Sequence, residues 1–279
     1  MKTLYVSDMD GTLLDNDSKV SSESAEIISE LSRRGALITV ATARTPATVE
    51  LLLSAVTTNC PAIVMTGAAM WDRSEKRLVN ARLFCKSDAE EILGQFRDHG
   101  INPFVYTVTS PTRLDVYYRG EMNRQENAFY QERRHLELKR FHIGANPDED
   151  ALEKVILMFS IGPSEPIERM AELLRKRGGC SVSCYPDINS RGISLIEVFV
   201  EGVSKRAAVM RLAEMVGAER IVVFGDNLND LPMMDVADTA VAVANAFPEV
   251  KEKADIVIGR NSDNSVARFI AEDYNKLTL

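Results

Sequence analysis

Asp8-Met9-Asp10-Gly11-Thr12-Leu13-Leu14 is the stretch on which the reading of this 279-residue chain turns. It follows directly on Thr3-Leu4-Tyr5-Val6-Ser7, a short apolar run with the length of a buried strand. Open α/β sheets bind their ligands beyond the carboxyl ends of strands, so both carboxylates stand where chemistry is expected. Set one residue apart, they repel each other unless a cation or a proton intervenes. Gly11 permits a turn that a residue with a Cβ makes less readily. A calcium loop of the EF-hand type also begins Asp-x-Asp, but it requires an acidic residue at its twelfth position, which here is Lys19. That reading fails.

Outward from this stretch, strands and helices alternate. Ser21-Ser22-Glu23 opens a helix expected over residues 22–34 and closed at Gly35. Residues 37–42 read as the next buried strand, Thr45-Pro46 as a helix start, and residues 62–66 as a third strand ending at Gly67. The same rhythm returns late in the chain, with a helix over 204–217 and strands over 220–224, 239–243 and 255–258. A last helix is expected over 262–274. Such alternation predicts right-handed crossovers and a parallel sheet covered on both faces. Between the two halves, helices over 87–99 and 164–177 mix with strand pairs such as 103–108 and 113–118. We therefore expect a discontinuous core domain, residues 1–82 plus 191–279, with an α/β cap domain inserted at 83–190.

The second chemical signal is Gly225-Asp226-Asn227-Leu228-Asn229-Asp230, again directly after an apolar strand. Alone it reads equally well as a turn and helix cap, since Asp and Asn favour both. Paired with the first stretch, it suggests an oxygen-rich site for a hard cation such as magnesium, which suits phosphate chemistry better than redox chemistry. Thr42 at a strand end and Lys205 at a helix start could bind phosphoryl oxygens, although each taken singly is ordinary. Other chemistries are excluded by what is missing. There is no G-x-x-x-x-G-K-[ST], no G-x-G-x-x-G and no G-x-S-x-G, and all three histidines (His99, His135, His142) fall in the inserted segment.

A net charge of -8 argues against nucleic acid as a partner, because a polyphosphate backbone calls for a basic stripe. The longest apolar stretch, near residues 155–161, is far short of the ~20 residues that span a bilayer, and no signal peptide is expected ahead of the first strand. A cytoplasmic protein without membrane attachment is expected. The four cysteines lack C-x-x-C spacing and read as buried thiols.

Taken in order, Asp8-Met9-Asp10-Gly11-Thr12, Thr42, Lys205 and Gly225 to Asp230 resemble the haloacid dehalogenase superfamily, and within it the Cof-type sugar phosphatases. The resemblance runs over nearly the whole chain. It implies an α/β fold, a Rossmann-like parallel-sheet core with an inserted α/β cap that closes over it and selects the substrate. It further implies a Mg2+-dependent phosphatase of small phosphorylated metabolites, sugar phosphates foremost, working through an aspartyl-phosphate. Asp8 would be the nucleophile, and Asp10 would be the general acid and base, protonated in the first step. Magnesium would sit on Asp8, the Asp10 carbonyl and Asp226, with Asp230 and Asn229 in support. Asp8, the Met9 backbone, Thr42, Lys205 and Asn229 would contact the phosphoryl group. A sugar phosphomutase on the same scaffold, or a non-hydrolytic phospho-aspartate signalling module, is the alternative. The chain departs from the family pattern at Ala43 (usually Gly), at Thr66 (usually Asn) and at Arg206 (usually Gly). Arg44 is a candidate for a second anionic group or a salt bridge at a helix start. Tyr185, Asp187 and Asn189 are candidate substrate contacts that ordinary loop composition explains equally well.

Overall fold

The structure, a computed structural model, describes residues 1–187 and 190–278. They fall into two compact units, one of Met1–Lys76 together with the chain from Ser204 onward, the other of Arg77–Val203. The divisions thus lie at 76/77 and 203/204, where the sequence had suggested 82/83 and 190/191. The larger difference arises because strand β11 (Ile193–Val200) pairs with β9 (Val155–Pro163) and β10 (Cys180–Pro186) of the inserted unit.

The first unit is built on a five-stranded parallel sheet in the order β14-β13-β12-β1-β2. Its strands are β1 (Thr3–Ser7), β2 (Leu37–Val40), β12 (Arg220–Gly225), β13 (Thr239–Ala242) and β14 (Ile256–Val257). All five residues of β1 are buried, as expected of a central strand covered on both faces. Ser7 lies in register with Phe224 on one side and Val40 on the other. The chain segments that leave β1, β12 and β2 therefore emerge side by side, which brings Asp8, Asp226 and Thr42 to one edge of the sheet.

Helix α1 (Ser22–Arg33) starts as the sequence suggests, with the Ser21 hydroxyl accepting from the Ser24 N–H. Helix α7 (Lys205–Val216) starts likewise at Ser204 and ends at Gly217 in the left-handed region. The expected third strand is shorter than read. Strand β3 (Ala62–Val64) stops where Met65 and Thr66 take positive φ, and Met65–Gly67 forms a 3-10 turn into β4 (Ala69–Asp72). The last helix, α10 (Ser265–Thr278), begins three residues later than expected, because Asn261–Asp263 forms its own 3-10 turn.

The second unit holds a six-stranded sheet in the order β10-β11-β9-β6-β7-β8. Here β6 is Phe104–Ser110, β7 is Arg113–Tyr118 and β8 is Lys139–Ile143. Only β7 and β8 run parallel, joined through α4 (Arg124–Arg133). Helices α3 (Lys86–Asp98) and α6 (Ser164–Arg177) bury Ile92, Phe96, Ile167 and Leu174 against Val105, Met158, Ile196 and Val198. On the alternate strand positions Phe104, Tyr118 and Phe159 form a tilted aromatic cluster with Phe129 of α4. The long apolar run at 155–161 is explained by β9, a strand near the middle of the sheet, buried from Val155 to Gly162. Among the described residues no helix is long and apolar enough to cross a membrane.

Candidate active site

The residues after β1 leave the sheet through a turn at Met9–Leu13, with Gly11 at φ 79. A Cβ on Gly11 would lie 2.5 Å from an oxygen of Asp226. Glycine is needed there both for its backbone angle and for the approach of that carboxylate. Thr12 donates its hydroxyl to Asp226 Oδ1 at 2.7 Å, and Asn245 donates to the Gly11 carbonyl at 2.7 Å. Neither residue drew notice in the sequence beyond the motif. Thr12 could have been found as the buried polar residue of an acidic turn, whereas Asn245 carries no local signal.

Lys205 is the hub. It is buried at the first turn of α7, and its ammonium donates to Asp8 Oδ1 and, at 2.7 Å, to Asp230 Oδ1. The other oxygen of Asp230 accepts from the backbone N–H groups of Asp226 and Asn227, both at 3.1 Å. Asp230 is thus fully engaged in holding the lysine and the turn. Asp8, Asp226 and Asp230 each bring a carboxylate oxygen to within 4.8 Å of the others. Three carboxylates facing one ammonium leave a buried excess of negative charge. Burial pushes the Asp8 carboxyl well up; Lys205 opposes this, and Asp230 and Asp226 add to it. Burial likewise pushes Asp226 up to about 6, with Asp230 adding to it and Thr12 and Lys205 opposing. For Lys205, burial alone would lower the pKa, but Asp230 and Asp8 outweigh it and hold the ammonium charged.

This donor set fits a hard divalent cation. Asp8 and Asp226 each use one oxygen in the hydrogen bonds above, which leaves the second available, and a divalent charge would offset the excess.

Thr42 is buried, and its hydroxyl accepts from the Arg44 N–H at 3.1 Å, which leaves its own proton free to donate. The Met9 side chain is buried in the core, so only its backbone can serve the site. Asn229 lies exposed on the 3-10 turn Leu228–Asp230. Asp10 faces a cation: Arg44 grips it with two donors, at 2.7 and 2.5 Å. Of the two readings of Arg44, the ion pair is the one observed. Trp71, in the β3–β4 hairpin, is fully buried and donates to Glu50, in keeping with a packing role. Tyr185 is partly exposed on β10 and Asp187 follows that strand, while Asn189 lies outside the described residues.

Comparison with known proteins agrees with this geometry. The profile of the haloacid dehalogenase-like hydrolases matches residues 5–270. The chain belongs to that family. Within it the chain is an enzyme of the phosphatase group, Cof-type in its relatives. It is 29% identical to a 5-amino-6-(5-phospho-D-ribitylamino)uracil phosphatase of Bacillus subtilis, over 97% of each chain. It is 26% identical to a pyridoxal phosphate phosphatase of Escherichia coli, over 94% of this chain and 95% of the other. Its fold is similar to a haloacid dehalogenase-like hydrolase from Bacteroides thetaiotaomicron (TM-score 0.77, 19% identity, 98% and 100% of the two chains). It is similar also to the subclass IIB sugar phosphatase BT4131 (TM-score 0.71, 18% identity, 98% and 99%).

Proposed function

We infer that the chain hydrolyses small phosphomonoesters, sugar phosphates and phosphorylated polyol or heterocyclic metabolites foremost, with magnesium as cofactor and the cytoplasm as setting. The observation that carries this is the buried Lys205 joining Asp8 to Asp230 beside Asp226 at the carboxyl edge of the sheet. That relatives over nearly the full length carry phosphatase names for a phosphoribityl and a pyridoxal ester supports the substrate class.

Magnesium, held by Asp8, the Asp10 carbonyl and Asp226, with Asp230 in support through Lys205, would neutralise charge where a carboxylate meets an anionic phosphate. Asp8 attacks phosphorus through a carboxylate oxygen, the ester P–O bond breaks, and Asp10 gives its proton to the departing alcohol oxygen. Water then attacks the aspartyl-phosphate, Asp10 takes a proton from it, and the bond from phosphorus to Asp8 breaks to release phosphate. Lys205 holds Asp8 in place and, with the Thr42 hydroxyl and the Met9 backbone, binds the phosphoryl oxygens; Asn229 adds a further donor. Arg44, whose fork occupies both Asp10 oxygens in the structure, releases one of them for Asp10 to carry its proton and directs the carboxyl through the other. We assign substrate selection to the inserted cap, whose expected bounds were 83–190.

The test is phosphate release from hexose phosphates, pentose phosphates, nucleotides and pyridoxal phosphate, with magnesium, with EDTA, and with Asp8→Asn. We expect magnesium-dependent release by the parent and none by Asp8→Asn, whose fold should persist because the change is nearly isosteric. Release by Asp8→Asn at the parent rate would remove Asp8 from the chemistry. Isomerisation of a sugar phosphate primed by a bisphosphate, without net release, would favour a mutase.

A further inference from the structure

The inserted unit contains a cavity of about 680 Å³, lined wholly by residues between Glu90 and Leu152. This lies within the range of small-molecule sites, roughly 300–1,000 Å³. Its floor is the β6–β7 pair, where Val105 and Tyr117 stand in register. Leu93 of α3 and Leu152 of α5 (Glu149–Leu152) add apolar walls. The Tyr117 ring is stacked on His142 (centroids 4.6 Å apart, planes 12° apart), and His142 is held by Asp115 at 2.7 Å. That support gives the floor a fixed, flat aromatic element.

The rim is polar and unspent. Arg97 and Arg119 both line the cavity, and among the described residues neither has an acidic partner within ion-pair distance. Among the described residues four other arginines of this unit are paired, Arg113 with Asp115, Arg133 with Glu132, Arg169 with Glu165 and Arg177 with Asp88 and Glu91; what sets Arg97 and Arg119 apart is that both line one cavity. In a chain of net charge -8, two unpaired guanidiniums on one apolar trough are a local excess of positive charge. The side-chain amides of Asn102 and Asn146 line the same rim and make no hydrogen bond among the described residues. The single acidic group there, Glu90, leaves the rim at a net +1.

We propose that this cavity is a second small-molecule site, for an organic anion with a flat apolar body. The body lies on Tyr117 between Leu93 and Leu152, and a carboxylate, sulfonate or phosphate takes the forks of Arg97 and Arg119. The anion is a metabolite separate from the ester that the carboxylate site takes. The effect of the probe on turnover tests that separation.

The probe is 1-naphthalenesulfonate, which cannot be hydrolysed, titrated calorimetrically into the full-length protein. We expect roughly 1:1 binding in the millimolar range or tighter, weakened about tenfold or more in the double variant Arg97→Gln/Arg119→Gln. The control Arg124→Gln/Arg169→Gln removes the same charge from the same unit and should stay within about twofold of the parent. Saturating inorganic phosphate should leave binding unchanged, and the Arg97/Arg119 double variant should hydrolyse p-nitrophenyl phosphate at the parent rate. An unchanged hydrolysis rate when the probe is bound, with a small aromatic ester as substrate, assigns the cavity to a separate metabolite. Competitive inhibition of ester hydrolysis by the probe would overturn the proposal. Absence of binding by the parent, equal weakening in the control, or displacement by phosphate would each overturn the proposal. Failure of the catalytic reading would show in the Asp8 variant and leave this titration untouched.

Discussion

At the scale of single residues, two positions carry consequences that side-chain chemistry alone would not suggest. Arg44 holds Asp10 by a two-donor fork, with the carboxylate about half exposed. Arg44→Gln keeps one donor and removes the charge. It should lower kcat about tenfold or more while moving KM less, because it loosens a group that acts on the leaving oxygen rather than on bound phosphate. Equal loss in kcat and affinity, measured by steady-state kinetics, would make Arg44 a substrate contact instead. Thr66 sits at φ 56, a left-handed conformation poorly suited to a β-branched residue. Thr66→Asn should raise the unfolding free energy by about 1 kcal/mol, read from the midpoint of urea denaturation, since Asn tolerates that region. An unchanged or lowered midpoint would show that contacts of the threonine outweigh its backbone strain. The carboxylates and Lys205 could be singled out from sequence because their order along the chain is specific. The partnership of Arg44 with Asp10 could not, since a salt bridge and a ligand contact look alike in one dimension.

At the scale of elements, the start of α7 matters most, because it delivers Lys205. Ser204 caps the helix, accepting from the Ala207 N–H at 3.1 Å. Ser204→Ala should cost about 1 kcal/mol of stability, measured by chemical denaturation, and lower turnover by letting the first turn fray. A variant as stable as the parent would show that water replaces the cap without loss. Elements with strong periodic signals, such as β1, α1, α6 and α7, were legible to within about two residues. Strand β8 and helix α4 were not. Lys139-Arg140-Phe141-His142-Ile143 mixes charge with aromatics, and Arg124–Arg133 has almost no apolar face, so neither carries a clear period. Their structure comes from pairing with β7 and from packing of Phe129 on Phe104.

At the scale of the whole molecule, stability should carry a pH signature from the inserted unit. Lys139 is buried there, its ammonium 5.5 Å from the centre of the Tyr106 ring and 5.9 Å from that of Phe141. Burial, with Arg133 adding to it, pushes its pKa down to about 7. Between that value and the ordinary lysine range near 10.4, the unfolded chain binds a proton that the folded chain does not. Stability contributed at this position therefore rises with pH across the window and is lowest below it. Lys139→Met should raise the melting temperature at pH 7, and its advantage over the parent should shrink towards pH 9.5. A constant difference across that range would mean that Lys139 does not titrate there.

The sequence by itself determined the class of chemistry and the class of fold. Local patterns of apolar residues set where strands and helices start. The ordered set Asp8, Asp10, Thr42, Lys205, Asp226 and Asp230 is unlike any cluster that packing alone demands. Only the tertiary structure decided how those charges are shared. It gave Lys205 to Asp8 and Asp230, left a spare oxygen on Asp226, and turned Asp10 towards Arg44. Pairwise electrostatics depends on distances of a few ångströms between residues as far apart in the chain as Asp8 and Asp230. Those distances come into being only when the parallel sheet sets β1 between β12 and β2.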